Sequence, residues 1–344
     1  MNIKDLFQIA IDRNASDIHL NVGLVPILRI DGELETLNKL SELLDKELQA
    51  MIFSIITEQQ KKMFELERDL DFSYAIGDTR FRVNIHYEKE NVGLSARLIG
   101  KDLPTMESIG LPNIVEEFLY KNKGLILMTG PTGCGKSTTL AAMIGHINDN
   151  YARKIITLED PIEFLFKSNK SIVIQRQLGS DIPTFESGLK HALRQDPNVI
   201  MVGEMRDLET IAATITLAET GHLVLATLHT YNAAQSIDRI VDVFPSDQQD
   251  QVRTQLSMVL EMVISQRLLP KVGGGRIAAR EIMTKNPAVA NLIRENKIAQ
   301  IQSVIQSGQA DGMISAERDL HNLYDAGLIS TEVANTQLKS LGAL

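Results

Sequence analysis

Gly130-Pro131-Thr132-Gly133-Cys134-Gly135-Lys136-Ser137, continued by Thr138, has the spacing G-x-x-x-x-G-K-[ST]. An apolar run at 125–129 precedes it and reads as a buried strand, and a helical pattern over 137–147 follows it. Strand, glycine loop and helix in this order suit a phosphate-binding loop. The glycines let successive backbone N–H groups turn inward, and the helix N-terminus adds its positive end. Lys136 is then placed for the β- and γ-phosphates and Ser137 for a Mg²⁺ ion, so the spacing points to a bound nucleoside triphosphate.

Downstream, apolar strand-like runs at 154–158, 172–175, 199–202 and 223–227 alternate with helical patterns at 185–195 and 208–219. That rhythm predicts a mostly parallel sheet flanked by helices. After Pro245 the pattern becomes almost wholly helical, with one hairpin expected around Gly273-Gly274-Gly275 and 277–283. Upstream, residues 4–14 read as a helix and 16–20 as a strand. Residues 25–34 read as a hairpin turned at Asp31-Gly32, 41–66 as helical, and 69–76, 79–87 and 92–99 as an antiparallel meander. Gly100, Pro104, Gly110 and Pro112 break the periodicity and mark 100–112 as a flexible linker between an α+β domain over 1–99 and a second domain over 113–344.

Composition fits two folded domains. The chain has 344 residues, 44% hydrophobic and 23% charged, which is ordinary for globular proteins. The single Cys134 excludes an intramolecular disulfide and a cysteine-rich zinc knuckle. No apolar run approaches the ~18 residues of a membrane span, and Asp5 and Asp12 sit where a signal peptide would be apolar, so the expected location is the cytoplasm. A net charge of −9 with no tryptophan argues against a nucleic-acid partner.

A nucleotide-hydrolysing loop needs carboxylates for the metal and for the attacking water, best placed at the ends of neighbouring strands. Two acidic sites qualify: Glu204, closing Asn198-Val-Ile-Met-Val-Gly203, and Glu163, in the cluster Leu158-Glu159-Asp160-Pro161-Ile-Glu163. Which of them serves as base stays open on this evidence. His222 and His229 bracket a further apolar strand and are candidates to bond a γ-phosphate or to hold a carboxylate. Arg80, Arg82 and Asn84 share one strand face and Arg97 lies on the next strand. As planar phosphate-binding groups these arginines would act on nucleotide held by another subunit, which requires an oligomer.

With these motifs in place, the chain resembles the PilT-like type IV pilus retraction ATPases within the secretion-type (type II/IV) P-loop ATPase superfamily. The resemblance is carried by Ser16-Asp-Ile-His-Leu20, Arg29-Ile-Asp-Gly32 and Phe81-Arg-Val-Asn84 in the first domain. In the second it is carried by the loop at 130–138, the acidic box at 156–163, the region 196–207, the histidine box at 220–229, and the segments 237–245 and 264–266. It implies an α/β fold, with an N-terminal α+β (PAS-like) domain followed by a RecA-like P-loop ATPase domain whose C-terminal portion is helical from about 246. It also implies ATP and Mg²⁺ held by Gly130–Thr138, with Ser137 and Glu204 toward the metal and Glu163 sharing that work. His222 and His229 would stand near the γ-phosphate, and Arg82 and Arg97, with Arg80, would approach from the N-terminal domain or a neighbouring subunit.

The partners implied are a homohexamer, an inner-membrane pilus platform protein and a paralogous retraction ATPase, at the cytoplasmic face of the inner membrane. The alternative is an accessory, non-hydrolysing ring subunit. Lack of a four-cysteine zinc element favours retraction over assembly. Ala288-Val-Ala290-Asn-Leu-Ile-Arg-Glu295 resembles the family segment AIRNLIRE, with Val289 and Ala290 in place of Ile and Arg, and Pro287 is suited to start its helix. Gly312-Met313-Ile-Ser departs from the family's Gly-Met-Gln-Thr, and Cys134 replaces a common serine. Beside a helix N-terminus, that thiol is expected to be open to oxidation.

Overall fold

A computed structural model describes residues 2–30, 32–77, 79–99 and 103–341. Asp31 of the expected Asp31-Gly32 turn, Asp78 beyond Gly77 and positions 100–102 of the expected linker lie outside the described residues. The chain forms two compact units, Met1–Asp102 with Pro161–Leu165, and Leu103–Asp160 with Phe166–Leu344.

The first unit opens with α1 (Ile3–Asp12), fixed at its start by a reciprocal capping box in which Asn2 and Asp5 each bond the other's backbone N–H. Its buried residues Ile3, Leu6, Phe7 and Ala10 recur at helical spacing, so one stripe faces the sheet. The strands β1 (Asp17–Leu20), β2 (Ile27–Ile30), β3 (Glu33–Thr36), β4 (Asp69–Ile76), β5 (Thr79–Glu88) and β6 (Asn91–Ile99) form an antiparallel sheet ordered β3-β2-β1-β6-β5-β4. The expected helical stretch at 41–66 is two helices, α2 (Asp45–Phe53) and α3 (Glu58–Glu67). The break falls before Thr57, whose hydroxyl accepts the Gln60 N–H while the Gln60 side chain accepts the Thr57 N–H, so a new helix begins there.

The second unit is built on β7 (Gly124–Thr129), β8 (Lys154–Glu159), β9 (Ile172–Gln177), β10 (Val199–Val202), β11 (Leu223–Leu228), β12 (Leu260–Pro270) and β13 (Arg276–Thr284), ordered β13-β12-β7-β11-β10-β8-β9. Every neighbouring pair is parallel except β12 with β13. Its helices are α4 (Ile114–Leu119), α5 (Lys136–Asn150), α6 (Phe185–Ala192), α7 (Leu208–Glu219), α8 (Ala233–Asp242), α9 (Gln249–Val259), α10 (Pro287–Arg294), α11 (Ile301–Ser307), α12 (Ala316–Asp325) and α13 (Thr331–Ser340). Successive β7 residues feed opposite cores: Leu125 and Leu127 join one apolar cluster, Ile126 and Met128 the other. Burial on both faces is why these strands read as unbroken apolar runs.

The same burial hid β12. Residues 260–270 read as helix because they lack alternation, yet they form an 11-residue strand inserted between β7 and β13. The predicted hairpin is thus longer than its glycine turn indicated, and its first strand lies parallel to the strand that carries the phosphate loop. Ser265 pairs with Thr129, which sets Gln266 beside the start of that loop. Helix α10 begins at Pro287, with Asn286 capping Val289 N, and buries Val289 and Ile293. Among the described residues no helix is long and apolar enough to cross a membrane.

Candidate active site

The glycine loop leaves β7 with Gly130, Gly133 and Gly135 at φ of +142°, +76° and +88°, conformations closed to most side chains. Two of these positions are also crowded. A Cβ on Gly130 would overlap the Gln266 carbonyl oxygen and stand 2.6 Å from Cys134 Sγ, and one on Gly135 would stand 3.0 Å from Gln266 Nε2. A Cβ on Gly133 would meet nothing. Lys136 folds its ammonium back over the loop, donating to the carbonyls of Gly130 at 2.8 Å and Pro131 at 3.1 Å. Pro131, Thr132 and Gly133 face a cavity of about 660 Å³ that Tyr231, Arg267 and Gln337 also line, which is ample for a nucleotide.

The ends of the neighbouring parallel strands meet the loop on the same edge of the sheet, where such folds bind their ligands. Gly203 and Glu204 follow β10 and His229 follows β11. Glu204 accepts from His229 Nε2 at 3.1 Å and from Arg206 at 2.7 Å. Burial by itself would raise the Glu204 carboxyl, but the Arg206 hydrogen bond and the charges of Arg206, His229 and Lys136 outweigh it and hold the group below the usual carboxylate range. The bond to Glu204 in turn pushes the Arg206 guanidinium up, with Asp160 adding its charge. Two contacts fix the Glu204 backbone: the Thr227 hydroxyl donates to the Gly203 carbonyl, and Asp207 caps α7 through Thr210 N at 2.7 Å. An ionised carboxylate is therefore held beside the loop lysine, the requirement for metal binding or for orienting water.

Among the described residues no three His, Cys, Asp or Glu side chains gather into a metal site of their own. The hard oxygens of the Ser137 hydroxyl and the Glu204 carboxylate suit Mg²⁺, which takes one or two protein oxygens and completes its shell with phosphate and water. Ser137 and Glu204 are the residues that would hold it.

Other expected residues fall elsewhere. His222 immediately precedes β11 at the opposite end of the strands, its carbonyl accepting from the first residue of β7, about 23 Å from His229 at ~3.3 Å per strand residue. Its Nδ1 lies 3.1 Å from the Leu217 carbonyl, so its ring caps the end of α7 and is not part of the loop's surroundings within the chain. Glu163 is exposed on the segment Pro161–Leu165, which belongs to the first unit. It is Glu159, buried at the end of β8, that takes bonds from Thr157 (2.6 Å) and Gln175 (3.0 Å). In the first unit Arg82 and Arg97 are direct cross-strand partners, both exposed, and Arg80 precedes them on β5. Arg97 Nε donates to buried Asp17 at 2.8 Å, which leaves the rest of its guanidinium outward.

Cys134 corrects an expectation: it is 3% exposed, and burial pushes its thiol up despite the charge of Lys136, so it has neither the access nor the thiolate character of an oxidation-prone cysteine. The roles of two residues that lie inside the resembling segments escaped the sequence reading. Arg206 adjoins the Glu204 strand and offered a local signal, a basic residue two positions from the acid. Gln266 offered none, because its contact with the loop spans 132 residues.

A parallel sheet with its strand-edge carboxylate, histidine and phosphate loop gathered together defines a P-loop ATPase. The chain belongs to the family of type II/IV secretion system proteins, whose pattern it matches over residues 2–311. It is 46% identical over 340 residues to the type IV pilus retraction ATPase PilT of Pseudomonas aeruginosa, covering 98% of each chain. It is 45% identical over 317 residues to a twitching motility protein of Neisseria gonorrhoeae, covering 92% of this chain and 84% of that one. Among solved structures, that of the pilus retraction motor PilT with bound ADP superposes with a TM-score of 0.91 at 46% identity, covering 97% of this chain and 96% of that chain.

Proposed function

We propose that this ATPase powers type IV pilus retraction and with it twitching motility, as its relatives' names indicate for them. The observation that carries the reading is the gathering in one unit of the glycine loop with Lys136 and Ser137 and of Glu204, held ionised between Arg206 and His229. In this reading residues 130–138 bind the phosphates of ATP, and Ser137 and Glu204 would hold Mg²⁺, which would offset charge developing on the transferred phosphoryl group. Glu204 keeps a proton-accepting carboxylate beside that group, and His229 fixes its orientation. The exposed pair Arg82 and Arg97 supports a ring in which one subunit's arginines approach the nucleotide of the next, with the ring taken to be a homohexamer. Its working partners are the pilus machinery at the cytoplasmic face of the inner membrane, including a platform protein and a paralogous retraction ATPase.

The test is steady-state ATP hydrolysis over a range of protein concentrations, with light scattering on the same samples. Turnover is expected to accompany a six-subunit mass. It should vanish in Lys136→Ala and fall at least ~10²-fold in Glu204→Ala, the loss typical of one preorganised catalytic contact. Binding of nucleotide without turnover at any concentration refutes the motor and leaves an accessory subunit.

A further inference from the structure

Arg280 is 5% exposed, and among the described residues its side chain bonds no carboxylate. Its fork instead donates to the carbonyls of Gly110 and Ile109, both at 2.8 Å, and its Nε donates to Gln266 Oε1 at 2.9 Å. Burial lowers its pKa to about 10, with Asp319, which accepts the Arg280 backbone N–H at 2.7 Å, partly opposing the shift. A buried cation spent on carbonyl oxygens costs stability unless it serves a further purpose.

Gln266, its cross-strand partner and 2% exposed, has both sides of its amide engaged: Oε1 also accepts the Thr139 hydroxyl at 3.0 Å, and Nε2 donates to the Cys134 carbonyl at 2.6 Å. The amide has only one workable orientation, because Arg280 and Thr139 both require an acceptor on one side and the loop requires a donor on the other. One unbroken chain of hydrogen bonds therefore runs from the phosphate loop, through Gln266 and Arg280, to residues 109–110, in the opening stretch of the second unit.

We infer that Gln266 and Arg280 are positioning residues that tie the shape of the phosphate loop to the backbone of residues 103–112, so that occupation of the loop by nucleotide is read at that opening stretch of the second unit. Lys136 is the trigger, since a bound phosphate draws its ammonium away from the Gly130 and Pro131 carbonyls it now holds, freeing the loop to shift at Cys134. Gly110, at φ +60°, has nothing within 4 Å of the position a Cβ would take, so no side chain of its own hinders a shift there. Buried polar networks of this kind have few alternative arrangements, which suits a two-state element.

The inference rests on the reading of the loop as an ATP site. The experiment is hydrogen–deuterium exchange on the full chain with and without a saturating non-hydrolysable ATP analogue, with binding measured separately by a fluorescent ATP derivative. In the wild type, nucleotide should change exchange across 103–112 by roughly two- to thirtyfold, the range to which coupling energies along packed networks convert. Gln266→Glu keeps a partner for Arg280 but removes the donor to Cys134, and Arg280→Lys keeps the charge but removes the fork. Both should still bind nucleotide at saturation and lose the response at 103–112, whereas a merely structural role would raise exchange equally with and without nucleotide. Binding by the wild type with no response at 103–112 overturns the inference even if neither variant folds, and so does a response that survives in either folded variant. Failure of the wild type to bind nucleotide would refute the ATP-site reading instead.

Discussion

Gly130→Ala and Gly133→Ala alter the same loop in the same way on paper, and the structure separates them. At Gly133, φ is +76° and the added methyl meets nothing, so the cost is the left-handed backbone alone, about 1–2 kcal/mol. At Gly130, φ is +142° and the methyl overlaps the Gln266 carbonyl and approaches Cys134 Sγ to 2.6 Å. Backbone strain of about 1–3 kcal/mol and overpacking of about 1–3 kcal/mol then act together. Gly130→Ala should therefore exceed Gly133→Ala by about 1–3 kcal/mol, read as the difference in denaturation midpoint followed by circular dichroism and as weaker binding of a fluorescent nucleotide. Adding Cys134→Ala to Gly130→Ala should restore part of the loss by removing the sulfur, and only part, because the Gln266 carbonyl remains. Equal effects at the two glycines, or no rescue by the second substitution, would refute the contact argument and leave consensus spacing as the sole reason for Gly130.

Two further outcomes follow from the site and the core. The Glu204 carboxyl sits below the ordinary carboxylate range, so the site's activity should persist as pH falls through the normal Glu pKa and disappear only as it passes the lowered one; Arg206→Ala removes the strongest lowering influence and should move the acid limb of the kcat profile upward, an unmoved limb counting against the assignment. Ile293→Ala empties a 1%-exposed core position on α10 and should cost about 2–5 kcal/mol in chemical denaturation, whereas Arg294→Ala beside it, exposed, should cost under about 0.5 kcal/mol.

Sequence alone determined what depends on residues close in the chain. The loop at 130–138 was legible because its glycines, lysine and serine act through their own backbone and first helical turn. The strand and helix rhythm around it was legible because burial on two faces leaves apolar runs, and β10 leading to Glu204 could be read for the same reason. That logic also produced the errors. A strand buried on both sides has no alternation, so β12 read as helix, and a single helical stretch was drawn where Thr57 and Gln60 start a second one. His222 and His229 looked equivalent because each ends an apolar run. Only strand direction, fixed by parallel pairing with β7 and β10, decided that His229 reaches Glu204 while His222 caps α7 at the far edge.

Tertiary structure alone decided the rest: that Arg206 grips Glu204, that Cys134 is sealed from solvent, and that Gln266, 132 residues from the loop, holds its carbonyl. Hydrogen bonds and steric overlap act over a few ångströms, and no pattern of spacing along the chain states which distant residues will fall within that range.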